Sequence, residues 1–104
     1  MNQQSVRTLQ ETRTTMPGTE VLEAAKRFFA RQTGIYAAFP EQEGPTHLTL
    51  RGQGGEEVVI AVAELEGATR VTGSSYLFDP QLARFFVTLP PAPSSDAPAA
   101  PAAA

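Results

Sequence analysis

The sequence predicts a two-layer α+β domain: a four-stranded antiparallel meander with an N-terminal helix and a short C-terminal helix packed on one sheet face. Three observations predict it. Two segments, around residues 19–31 and 79–89, carry apolar residues at helical spacing. Four short β-forming runs lie between them. The links between those runs are short, which makes sequence neighbours antiparallel neighbours.

The first helix has Thr19 as its expected N-cap, with Gly18 as the competing position. Glu20 and Glu23 stand near its start, and Lys26, Arg27 and Arg31 towards its end, each charge on the side the helix dipole favours. Val21, Leu22, Ala25, Phe28 and Phe29 form one apolar stripe. Gly34 fits the position just past the helix end.

The first strand is expected at Ile35–Phe39, stopped by Pro40, with "PEQEGP" as a turn. The second, "THLTLR" from Thr46 to Arg51, alternates: Leu48 and Leu50 point one way, His47, Thr49 and Arg51 the other. The third, Val58–Ala63, is apolar on both faces and reads as a central strand. A turn at Glu66-Gly67 leads to the fourth, "TRVTGSSYLF" from Thr69 to Phe78. The last segment, "DPQLARFFVTLP", reads as a helix. Asp79-Pro80 resembles an N-cap with proline at the first helical position, and Leu82, Phe85, Phe86 and Leu89 keep helical spacing.

Between the second and third strands lies "RGQGGEE", which holds three of the eight glycines. A phosphate loop needs glycines that lead into a helix N-terminus, whose free N–H groups meet the anion. Here they lead into a β-branched run, no Lys-Ser/Thr follows, and Glu56 and Glu57 would repel a phosphate. The stretch is expected to be a hairpin turn.

The ends differ in composition. Residues 1–17 are polar, with four threonines and no clear periodicity, and are expected to be disordered. Met16-Pro17 just precedes the first periodic segment, so Met16 is a candidate translation start. Residues 90–104, "PPAPSSDAPAAPAAA", hold five of the nine prolines and read as a disordered Pro/Ala tail. The folded domain is therefore expected to span 18–89.

Composition narrows function. The chain has 104 residues, which fits one domain, and 41% hydrophobic residues, enough for a modest core. A net charge of −3 argues against a protein that coats nucleic acid. Without cysteine there is no disulfide, thiolate catalysis or Cys-type metal site. No apolar run approaches the roughly 20 residues of a bilayer span, so no membrane partner is expected. The first residues lack an apolar signal core, and the expected location is cytoplasmic. His47 is the only histidine, which rules out a multi-His metal site within one chain. "VTGSSYLF" lacks the full nucleophile-elbow pattern and lies within a strand. No cofactor and no catalytic residue are expected.

If the helices cover Leu48, Leu50, Val58, Ile60, Val62, Val71 and Leu77, the other sheet face stays open. It would show Tyr36, Ala38, His47, Thr49, Arg51, Val59, Ala61, Ala63, Arg70, Thr72, Ser74 and Tyr76. The candidate binding residues are Tyr36, His47, Arg51, Val59, Ala61, Arg70, Ser74 and Tyr76. An apolar centre with an aromatic and Arg rim suits self-association or another protein partner. The expected function is a small non-catalytic interaction module, self-associating as a homodimer through that face. The alternative is a small-molecule or anion binding domain, or a weakly catalytic one, that uses the polar sheet face with His47, Arg51, Arg70 and Tyr76.

Overall fold

The structure is a computed structural model that describes residues 7–32 and 36–92, with side chains from residue 9 onwards. The elements run β1 (Arg7–Thr14), α1 (Gly18–Ala30), β2 (Ala38–Glu43), β3 (His47–Gly52), β4 (Glu57–Leu65), β5 (Ala68–Tyr76) and α2 (Asp79–Val87). The sheet is antiparallel throughout, in the order β1-β5-β4-β3-β2. The expected meander is present as β2 to β5. A fifth strand, β1, is added at its far side.

β1 corrects the reading of residues 1–17 as disordered. Arg7–Thr14 pairs with β5 in unbroken register, from Arg7↔Tyr76 to Thr14↔Thr69. The segment has little apolar periodicity because it is an edge strand with Leu9 as its one large apolar residue. Its three threonines, Thr8, Thr12 and Thr14, were the available signal, since β-branched side chains favour extended backbone. The fold also extends beyond residue 89. Thr14 is buried and donates from Oγ1 to the Pro90 carbonyl at 2.6 Å, and Thr14 bridges Pro91. The folded unit thus reaches from 7 to 92, not 18–89. Residues 1–6 and 93–104 lie outside the described residues.

β2 is also displaced from its expected place. Ile35 is outside the described residues, Tyr36 lies in a short helical turn, and the strand runs through Pro40 to Glu43. Proline is tolerated because β2 is an edge strand, where a missing N–H need not break a ladder. The register slips between Pro40 and Gln42, a bulge that leaves Glu41 unpaired. The turn is therefore Gly44–Thr46, closed by the Gly44 N–H donating to the His47 carbonyl at 2.9 Å.

α1 begins at Gly18 with Pro17 in the N-cap position, so neither Thr19 nor Gly18 is the N-cap, and no side chain caps the helix. The Pro17 carbonyl accepts from the N–H groups of Glu20 and Val21. Gly18 stands here because a Cβ would come within 2.8 Å of the Val62 side chain. Gly34, the expected helix stop, falls outside the described residues. α2 begins at Asp79, with Phe78 in the N-cap position. β5 ends at Tyr76, two residues short of its expected end. Leu77 takes a positive φ of 75° and is 60% exposed, so it does not face the helices as expected. Phe78, buried, takes that place.

The core lies between the sheet and both helices. Val21, Leu22, Ala25 and Phe29 of α1 and Leu82, Phe85 and Phe86 of α2 meet Leu48, Leu50, Val58, Ile60, Val62 and Val71 of the sheet. The two Phe pairs join at the helix–helix seam: Phe28 lies 5.5 Å and Phe29 6.0 Å from Phe85, centroid to centroid. Each such buried side chain contributes about 1.5–3 kcal/mol. Among the described residues no helix is long and apolar enough to cross a membrane.

Candidate functional site

Both helices pack on the same side, so the opposite sheet face has no covering layer among the described residues. Strand register builds its rows. Leu9, Ser74, Val59 and Thr49 form one row. Glu11, Thr72, Ala61 and His47 form the next. Tyr76, Glu57, Arg51 and Phe39 form a third. Leu9, Val59, Ala61, Thr72, Gly73 and Ser74 line a shallow depression at the centre.

Most of the expected residues share this face. Val59, Ala61 and Ser74 are half-buried at its centre, and Tyr76 is exposed beside them. Ala38 is fully buried, so its side chain belongs to the core and not to the open face. Tyr36 precedes β2 and rests near Phe78, with ring centroids 6.0 Å apart, at the sheet end and away from the centre. His47 stands at the start of β3 and helps line a separate small hollow with Glu23, Lys26 and Glu43. Its ring occupies the space a side chain at Gly44 would need.

The two arginines are already matched to carboxylates. Arg70 donates from Nε to one Glu11 oxygen at 2.8 Å and from Nη2 to the other at 3.1 Å. Arg51 donates to Glu41 from Nη2 at 2.7 Å, to Glu57 at 3.4 Å and to the Gly55 carbonyl at 3.2 Å. The hydrogen bond from Arg70 holds the Glu11 carboxyl below its usual range. The Glu41 and Glu11 bonds in turn raise Arg51 and Arg70. An incoming anion would have to displace these internal carboxylates, which weakens the anion-site reading.

The "GQGG" stretch is a turn between β3 and β4, with Gly55 at φ 91° and the Gly52 N–H donating to the Glu56 carbonyl at 2.8 Å. The Glu56 carboxylate accepts from the Gly54 N–H at 2.9 Å. The loop thus satisfies one of its own donors with an internal anion.

Ser74 and His47 are not within hydrogen-bond reach of each other. Ser74 is on β5 and His47 on β3, two strand spacings apart, about 10 Å. Among the described residues no three His, Asp or Glu side chains gather to hold a metal ion.

Four residues of these rows were not among the expected ones: Leu9, Glu11, Phe39 and Glu57. Leu9 is 71% and Phe39 51% exposed, large apolar side chains on the open side. Leu9 and Phe39 lie on edge strands whose extent the sequence pattern did not show. Comparison with known protein families, characterised proteins and solved structures finds no match to this chain.

Proposed function

We propose that the protein is a small non-catalytic interaction module that self-associates through the side of the sheet left open by its helices. The observation that carries this reading is Leu9, 71% exposed beside the half-buried Val59 and Ala61 on one uncovered face. Exposed apolar groups gathered on one face favour burial against a partner. The flanking charges favour a protein over a small anion, because Glu11 and Glu41 already engage both arginines. Polar groups paired within the chain suit the rim of such a contact.

Light scattering on a sizing column, over a dilution series of the full chain, tests this. A dimer is expected for the wild type, and Leu9→Glu is expected to run as a folded monomer with an unchanged circular-dichroism spectrum. A wild-type monomer at all concentrations would sink the proposal.

A further inference from the structure

The two edges of the sheet differ in how they meet solvent. β2 carries Pro40, a bulge and the acids Glu41 and Glu43, all of which discourage an added strand. β1 has neither proline nor bulge. Its outer side is occupied at one end only. The Ala92 N–H donates to the Arg13 carbonyl and the Pro90 carbonyl accepts from the Thr15 N–H, both at 3.3 Å. These bonds reveal the phase of the strand. Backbone direction alternates along a strand, so the outward N–H and C=O groups of β1 belong to the odd positions. Residue 13 is engaged by Ala92. Residues 11, 9 and 7 present theirs to the edge, with no strand beside them among the described residues.

Apolar groups flank the same edge. The two most exposed large hydrophobic side chains among the described residues are Val87, at 81%, and Leu9, at 71%. Leu9 is on the open face. Val87 is on α2 and lines a groove with Gln10, Thr12, Phe86 and Leu89 on the helix side.

We infer that a second copy of this chain adds to the β1 edge as an antiparallel strand, with Leu9 facing Leu9 on a two-fold axis, giving one ten-stranded sheet. The inference rests on the self-association reading and places the contact at the β1 edge, with Leu9 as the shared residue, instead of over the sheet centre at Val59 and Ala61. Hydrogen bonding requires odd positions to face odd positions. Pairing 11 with 11 sets Glu against Glu, and pairing 7 with 13 sets Arg against Arg at a position Ala92 already holds. Pairing 9 with 9 sets residue 7 against residue 11, Arg against Glu, twice by symmetry. Like charges directly opposite are unfavourable and opposite charges favourable. The three pairs supply about six backbone hydrogen bonds. The open faces of the two copies then join side by side.

The test uses two full-length charge variants, Arg7→Glu and Glu11→Arg. Each alone sets like charges opposite each other in its own dimer, and its dimer dissociation constant should rise about tenfold or more in sedimentation equilibrium. Mixed in equal amounts they match again at both pairs, and the mixture should recover wild-type association. Glu11→Pro, which removes an outward N–H but keeps Leu9, should also run as a monomer. Dimers that survive the single charge variants but dissociate with Ala61→Lys, two strands in from the edge, would overturn edge pairing while leaving self-association standing. A wild-type monomer would overturn both. A monomer that dimerises only after removal of residues 93–104 would overturn the inference too, because the chain's own tail would then cover the edge.

Discussion

Glu11 is exposed, yet its carboxyl lies below the usual range because Arg70 grips it with two hydrogen bonds. A carboxyl with a lowered folded pKa adds stability above its unfolded pKa and loses it as the pH falls through the folded value. Glu11→Gln should therefore lower Tm by a small amount at about pH 7 and by less at acid pH, as the pH falls through the lowered folded value. An equal loss at both pH values would show that the pairing is not the cause. Gly73 shows a steric constraint of a different kind. It lies under α2, where a Cβ would come within 3.0 Å of Leu82 and 3.1 Å of Phe86. Those side chains are buried and have little room to move. Gly73→Ala should cost about 1–3 kcal/mol in urea unfolding, despite alanine being the stiffer residue in the unfolded chain. A stabilised variant would show that α2 yields. Neither constraint was legible beforehand. "VTGSSYLF" marks a strand with a glycine in it, but only the packing of α2 on β5 shows why glycine is there.

β1 is the element whose role changes most between sequence and structure. A chain that begins at Met16 would lose the whole of β1. It would also lose the Glu11–Arg70 pair, the Gln10 side-chain bond to the Asp79 carbonyl at 3.1 Å and the Thr14 bond to Pro90. The inner groups of β5 would then meet solvent. Residues 16–104 alone are expected to melt at a much lower temperature than the full chain, or to aggregate, by thermal circular dichroism. Equal melting temperatures would show that β1 is dispensable. The helices were legible because each keeps its apolar stripe at the helical period, β3 because Leu48 and Leu50 alternate with polar residues, and β4 because Val58–Ala63 is a continuous apolar run. The edge strands were not. An edge strand faces water along one side and packs few apolar residues, so β1 and β2 carry weak patterns, and Pro40 looked like a stop when it marked an edge.

At the scale of the whole molecule, β1 and β2 lie at opposite edges and α1 must carry the chain from one to the other. Four strand spacings are about 19 Å, and a helix of 13 residues spans about 20 Å. The crossover therefore lays α1 over β2, β3 and β4, and leaves room for α2 over β5 and β1. Two helices fill one face, and among the described residues no further element covers the other. The uncovered face, its apolar centre and the unblocked β1 edge follow from that arrangement. The charge-swap mixture and the Leu9→Glu dilution series address this scale, since both read the assembly and not the fold of one copy.

The amino-acid sequence by itself determined the class of the domain, both helices, the three central strands and most of their core-facing side chains, Leu77 excepted. These rest on local periodicity, and burial follows it wherever a segment has one wet face and one dry one. Tertiary structure decided what local pattern does not carry: that a polar threonine-rich stretch pairs as a fifth strand, that Pro90–Ala92 closes beside it, and that Arg51 and Arg70 find Glu41 and Glu11. Such contacts join residues as far as 76 positions apart, from Thr14 to Pro90. They depend on which strands become neighbours, and no single segment encodes that choice.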